Sequence, residues 1–251
     1  MATQKSLIKL EGNVGDLTFY KQDDSYRVRQ RSGHSAQRIA KDPHFARTRE
    51  NYNEFGRTSH IAKCIRRTLK YALGELHELF YESTTANRLT QRVNHIVKAD
   101  MENPRGSRCV QPANVRMFSG FSVNNAMALK DAIYIPLHTT YDKEQGTLAL
   151  DISEMHLKAI VLPPKTTLFR IHLIALSLDF AGDFFPEASY HSRLLNTTDG
   201  IEEQLPTLQI VRPDLPLVVF FGISFYDRVA GYPIPHSNPN SHALDIIDTF
   251  T

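Results

Sequence analysis

The spacing of apolar residues changes from helical to strand-like in the middle of this chain, and that change constrains the fold more than any other feature. From about Phe45 to Val97 the apolar side chains recur at helical intervals. The longest such series comprises Ile61, Ile65, Leu69, Ala72, Leu76 and Phe80. From about Phe118 onward, short apolar runs bounded by turn residues replace it. The pattern predicts an α+β protein in which helices precede strands.

The second half is predicted to be a mostly antiparallel β-sandwich over residues 111–251. Pro, Gly, Asn and Asp cluster between its apolar runs, as they do in turns. The candidate strands are Ala132–Leu137, Thr147–Ile152, Thr167–Phe180, Ser189–Leu195, Leu217–Arg228 and Ala243–Ile247.

The N-terminal segment predicts a β-hairpin. Residues 17–21 are rich in strand formers, residues 22–25 predict a turn, and residues 26–31 alternate strictly. Tyr26 and Val28 therefore share one face, while Arg27, Arg29 and Arg31 share the other. Phe19, Tyr20 and Tyr26 are its large apolar groups. An isolated hairpin is marginal in water, so we expect it to pack on the helices, on the β-domain or on another chain.

A small helical bundle is predicted between the hairpin and the sandwich. Asp42 before Pro43 has the form of a helix start, and Gly56 is expected to kink or end that first helix. We expect Thr84 or Thr85 to cap a third helix. Hairpin and helices together form a predicted region 1–110.

Charge is divided unevenly along the chain, whose net formal charge is +2. Residues 1–70 hold 15 Lys and Arg against 7 Asp and Glu, whereas residues 111–251 hold 9 against 15. A basic end can bind nucleic acid or another acidic surface, or the two ends can attract each other within or between chains. A third interpretation is that both faces are simply solvated.

Sites for chemistry are not evident in the sequence. It has no phosphate-binding loop, dinucleotide fingerprint, zinc-protease motif or nucleophile elbow. Cys64 and Cys109 are too few and too distant for a zinc site, and the histidines are dispersed. We therefore expect no enzyme activity, cofactor or metal. The polar N-terminus and the lack of a long apolar run predict synthesis in the cytoplasm and no membrane span, which is compatible with membership of a larger particle.

One segment, residues 42–56, interleaves charged and aromatic side chains at helical spacing. Arg47, Glu50 and Glu54 fall close together on the helix surface and can pair there. The alternatives are an ordinary salt-bridged helix or a polar contact surface that fixes a neighbour's orientation, for which the arginine fork is well suited.

The motif GNVGDLTFYK at residues 12–21, followed by DPHFARTREN at 42–51 and EFG at 54–56, resembles a family of uncharacterised bacterial proteins. The resemblance covers roughly residues 8–60, and the β-rich half is similar only in general character. It implies a shared N-terminal module and no particular reaction.

The leading functional hypothesis is a non-enzymatic structural protein whose copies assemble head to tail into a ring, filament or particle. The alternatives are a nucleic-acid-binding protein that uses the basic region, and a β-sandwich module that binds a ligand or carbohydrate. Charge is expected to orient the assembly contact. The predicted contact residues are Phe19, Tyr20, Tyr26, Arg27, Arg29, Arg31, Arg47 and Arg49 on the basic side and Asp179, Asp183, Glu187, Glu202 and Glu203 on the acidic side.

Overall fold

The computed structural model describes residues 2–30, 33–152, 156–198 and 205–251. The chain divides into two compact units, residues 1–49 and residues 50–251. The helices are α1 Ala36–Lys41, α2 Ala46–Leu73, α3 His77–Phe80, α4 Thr85–Lys98 and α5 Leu129–Ala132. The strands are β1 Ala2–Thr3, β2 Gly12–Val14, β3 Leu17–Gln22, β4 Ser25–Gln30, β5 His138–Asp142, β6 Thr147–Asp151, β7 Leu168–Ser177, β8 Glu187–His191, β9 Leu195–Asn196, β10 Leu208–Gln209, β11 Leu217–Val229, β12 Tyr232–Pro235 and β13 Ala243–Phe250.

The first unit contains an antiparallel sheet in the order β1-β4-β3-β2, which we call the N-terminal sheet. The predicted hairpin is its centre: β3 and β4 pair from Leu17 with Gln30 to Gln22 with Ser25. A two-residue turn joins them, and Asp23 adopts a positive φ of 52° there, which Asp tolerates better than most residues. The α+β class and the N-terminal hairpin are confirmed.

Helix α2 continues through Gly56, where the sequence predicted a kink or an end. A glycine inside a helix costs only about 1 kcal/mol relative to alanine. The buried face that begins at Glu54 and runs to Leu73 outweighs that cost. Among the residues described, no helix has both the length and the apolarity needed to cross a membrane.

Two antiparallel sheets form the β half of the second unit. The larger has the order β12-β11-β7-β8, with β13 also paired to β11 and β9 to β7. The smaller has the order β10-β6-β5. Strand β12 lies beside the C-terminal end of β11, and it contains Pro233 and Pro235.

Both faces of the larger sheet are covered. One face packs against α2 and α4 in a core that includes Ile65, Val93, Ile174 and Phe220. The opposite face packs against the smaller sheet in a second core, which holds Leu148, Phe169, Leu173 and Phe221. Burial on both sides explains why β7 and β11 are almost continuously apolar in sequence rather than alternating.

The division between the units falls after residue 49, whereas the sequence placed a boundary at 110/111. The physical reason is the shared core. Because α2 and α4 bury their apolar faces against β7, β11 and β13, the helices and the larger sheet are one packed body. The helices therefore form a layer on the sheet instead of a separate bundle.

Candidate assembly surface

The described part of the N-terminal unit has no buried core. In residues 2–30 and 33–49 no side chain is buried, and the first buried residue along the chain is Glu54. Large apolar side chains in this unit are instead open to solvent, with Leu7 103%, Ile8 74% and Val14 62% exposed. Covering such a surface with another apolar surface is energetically favourable.

The two faces of the N-terminal sheet differ in chemistry. Directly paired residues of an antiparallel sheet share a face, so Phe19 and Val28 lie together on one side. Tyr20 and Arg27 lie together on the other side. There the guanidinium of Arg29 stands 5.6 Å from the centre of the Tyr20 ring, in range of a cation–π attraction. The predicted aromatic set is therefore split: Phe19 shares a face with Tyr26, and Tyr20 belongs to the arginine face.

The remaining predicted basic residues have separate surroundings. Arg47 is exposed on α2. The guanidinium of Arg49 donates to the carbonyl oxygens of Ile39 at 2.6 Å and Asp42 at 2.9 Å. Arg49 thus holds the end of α1, and its Nη1 is engaged inside its own unit. Arg31 lies outside the described residues.

Polar side chains that follow on α2 bind a loop of the same chain. The Glu54 carboxylate, 5% exposed, accepts a 2.8 Å hydrogen bond from the backbone N–H of Gly106. Arg57 donates from Nε to the Arg108 carbonyl at 2.9 Å and from Nη2 to the Gly106 carbonyl. Arg105 approaches Glu50 at 3.5 Å. This part of α2 therefore fixes the position of the loop at residues 104–108 of the same chain.

Gly106 is required at this contact. Its φ is +90°, a region that L side chains rarely adopt, and an added Cβ would lie 2.9 Å from Cγ of Glu50. Glu54 and its glycine contact were not predicted, because a buried glutamate on a helix looks in sequence like one more solvated position. The spacing of Glu50, Glu54 and Arg57 on one helix face was the available signal.

Three predicted acidic residues lie in or just after the connection between β7 and β8. The Asp183 side chain is 91% exposed, with its carboxylate 3.8 Å from Nε2 of His60. Asp179 accepts from the backbone N–H of Ala181 at 3.2 Å. Glu187 begins β8 and is partly buried. Asp179, Asp183 and Glu187 thus belong to one stretch between β7 and the start of β8. Glu202 and Glu203 lie outside the described residues.

His60 also faces a cysteine. Its Nε2 lies 3.6 Å from Sγ of Cys64, a pairing seen in thiol nucleophiles. Here burial and the charge of Asp183 raise the pKa of the Cys64 thiol. A nucleophilic cysteine needs the opposite shift, so this pair is a packed contact with an unactivated thiol.

A buried chain of hydrogen bonds crosses the helix–sheet interface, and we call it the histidine chain. His191 Nε2 donates to the Ala72 carbonyl at 2.8 Å, and its Nδ1 lies 2.9 Å from Nδ1 of His172. His172 Nε2 then accepts from the Ser224 hydroxyl at 2.8 Å, and the Tyr226 hydroxyl lies 3.3 Å beyond. With a hydroxyl on one side and an imidazole on the other, both ring nitrogens of His172 have a hydrogen-bond partner.

The surroundings of the histidine chain favour its uncharged form. His172 is fully buried, and the Phe80 ring packs edge-on at 5.3 Å. Burial holds the pKa of His172 well below its ordinary value, and the neighbouring His191, Arg170 and His242 push it in the same direction. Burial likewise lowers the pKa of His242. His172 and Ser224 are fully buried and His191 is partly buried, and each ring nitrogen of His172 and His191 has a hydrogen-bond partner, so this geometry fits a structural role.

Within the described ranges, no group of three His, Cys, Asp or Glu side chains is arranged to hold a metal ion. Comparison with protein-family models, with curated proteins and with solved structures gives no match. The surface that stands out is therefore the uncovered N-terminal unit.

Proposed function

We propose that this chain is a non-enzymatic structural protein whose copies assemble head to tail through the N-terminal sheet. The observation that supports the proposal is the lack of any buried residue in 2–30 and 33–49, together with the exposure of Leu7, Ile8 and Val14. A small sheet needs a buried hydrophobic face for independent stability, and a second copy would supply the missing cover.

Charge supports a contact between unlike surfaces. The first unit holds 10 Lys and Arg against 5 Asp and Glu, a net charge of +5, whereas the second unit has a net charge of −3. A basic module of one copy and an acidic module of the next make a heterologous contact, which generates rings or filaments. The proposed acidic side is the β7–β8 connection with Asp179, Asp183 and Glu187.

Burial is expected to supply most of the binding energy. Covering an exposed leucine or isoleucine is worth about 1.5–3 kcal/mol, so a few such residues exceed what ion pairs offer. An exposed ion pair contributes about 0–1 kcal/mol, and His60 already partners Asp183. The arginines are therefore expected to set orientation and encounter rate more than affinity.

The test is the native mass of the full-length protein by light scattering, at low and high salt. We expect multimers whose mass falls when Leu7 and Ile8 are both changed to Ser. The matched control changes Val211 and Tyr134 to Ser, which are also exposed apolar residues, at 63% and 70%. A wild-type chain that stays monomeric at high concentration in all salt conditions would contradict the proposal, as would equal loss of mass in the control.

One observation favours a second function, nucleic-acid binding. Tyr20, Arg27 and Arg29 share a face of the N-terminal sheet, and an aromatic ring between guanidinium groups is a surface on which a nucleic acid base can stack. Tight, salt-dependent binding of single-stranded DNA or RNA by a monomer, lost in Tyr20→Ala, would favour this function over assembly.

A further inference from the structure

A pocket between α2 and α3 concentrates positive charge. It has a volume of about 410 Å³ and lies wholly within the second unit. We call it the α2–α3 pocket; its lining residues are Lys63, Arg66, Arg67, Lys70, His77 and Tyr81. The four cations occupy consecutive turns of α2 at intervals of three and four, so they project from neighbouring positions.

These cations lack a partner of opposite sign. Among the described residues, no salt bridge joins any of the four to a carboxylate. Asp183 raises the pKa of the Cys64 thiol while Arg67 and Lys63 lower it, and the Asp183 carboxylate faces His60. Like charges at such spacing repel one another, and an anion held among them would relieve that repulsion.

Two donors at the pocket also lack acceptors. The hydroxyl of Tyr81 and Nε of Arg66 are both shielded from solvent, and neither has a hydrogen-bond partner among the described residues. Burial raises the pKa of Tyr81 far above its ordinary value, although Arg66 lowers it, so the hydroxyl stays protonated and is able to donate. A buried donor without an acceptor is destabilising. An oxyanion beside them would accept from both after a small side-chain rotation.

We propose that the α2–α3 pocket binds a phosphate group. A phosphomonoester carries roughly 1.5–2 negative charges and three acceptor oxygens, which matches several cations and a hydroxyl better than one carboxylate does. Arginine binds such groups with paired hydrogen bonds, and lysine adds point charge. The volume exceeds that of a bare phosphate and leaves room for the group attached to it.

The phosphate has two chemical sources, a small organic phosphate or the backbone of a nucleic acid strand. Pyrophosphate is the probe for the first, by isothermal titration calorimetry at low salt. A labelled single-stranded oligonucleotide of about 20 nucleotides is the probe for the second, by fluorescence anisotropy. If pyrophosphate binds and the oligonucleotide does not, the ligand is a small organic phosphate. If the two probes compete, the ligand is a nucleic acid strand. Either result supports the proposal.

Variants of the full-length chain test the site itself. Arg66→Gln should weaken pyrophosphate binding by about tenfold or more, since a hydrogen bond to a charged group is worth about 1.5–3 kcal/mol. Lys98→Gln, an exposed cation on α4, is the matched control and should change the affinity less than twofold. The proposal is overturned if neither probe binds at low salt, or if both variants bind pyrophosphate as tightly as the wild type.

Tyr81→Phe separates a binding role from a structural one. Removing a buried hydroxyl that has no partner should leave the ligand-free melting temperature unchanged or raise it, while the rise caused by pyrophosphate shrinks. A variant that melts lower but responds fully to pyrophosphate would show that the hydroxyl serves packing alone. Native mass measured alongside distinguishes this proposal from assembly, since filling the pocket needs no second copy.

Discussion

Lowering the pH should destabilise the fold through the histidine chain. His172 is held neutral by burial, so its pKa lies well below 6.5 in the folded protein. In the unfolded chain an ordinary imidazole titrates near 6.5. Unfolding therefore takes up a proton at mildly acidic pH. The contribution of neutral His172 to the free energy of unfolding is fully present above pH 6.5. It is lost as the pH falls from there toward the depressed folded-state pKa.

The size of the effect follows from that proton uptake. Between pH 7.0 and 5.5 an unfolded imidazole goes from about one-quarter to about nine-tenths protonated. Integrated over this range, His172 alone lowers the free energy of unfolding by up to about 1.2 kcal/mol, the limit reached when the folded state takes up no proton. His242, whose pKa burial also lowers, acts with the same sign. Asp245, whose pKa burial raises, acts in the opposite sense.

Urea unfolding followed by circular dichroism at the two pH values measures the change. The variant His172→Gln keeps a donor and an acceptor but cannot titrate, so its pH-dependent loss should be smaller than that of the wild type by up to about 1.2 kcal/mol. The comparison cancels the contributions of His242 and Asp245. His95→Gln, at an exposed position, controls for the loss of an imidazole. An identical pH dependence in wild type and His172→Gln would refute the argument.

Other substitutions probe contacts elsewhere. Gly106→Ala should cost about 1–3 kcal/mol in urea unfolding, because its positive φ and the nearby Glu50 leave no unstrained place for a Cβ. Phe80→Ala should cost about 3–5 kcal/mol in the same assay, since its ring is 1% exposed within the core. Arg49→Gln removes both bonds to the end of α1, so amide hydrogen exchange in residues 36–45 should accelerate while urea unfolding of the second unit stays unchanged.

Much of the element order could be predicted from the periodicity of apolar residues. The long helix around Ile65 and the strands β7 and β11 have strong patterns over ten or more residues, and the structure contains all three. The segment 132–137 failed as a strand. It is apolar and β-branched, but α5 ends at Ala132 and only one bridge, Ile133 to Ile160, forms beyond it. Pro136 lacks the N–H that a longer ladder would need.

Contacts between distant segments could not be predicted in this way. The apolar faces of α2 and α4 indicated burial, but they did not indicate that a sheet more than 70 residues away would cover them. The histidine chain joins residues from α2, β7, β8 and β11, and each looks ordinary in its own segment. The cations of the α2–α3 pocket likewise have the spacing of a solvated helix face. They line a pocket together with Tyr81, and only the tertiary structure places Tyr81 beside them.

The prolines of β12 determine how the larger sheet can and cannot grow. The backbone N–H of His236 donates to the Phe225 carbonyl, and Ile234 pairs with Asp227. The backbone N–H and C=O groups of the even-numbered residues of β12 therefore point toward β11. The odd-numbered positions therefore face outward, and both are proline. This edge offers carbonyl oxygens but not one N–H to an incoming strand. Strand addition is disfavoured at β12, so another copy of this protein has no matching ladder of donors with which to continue the larger sheet past this strand.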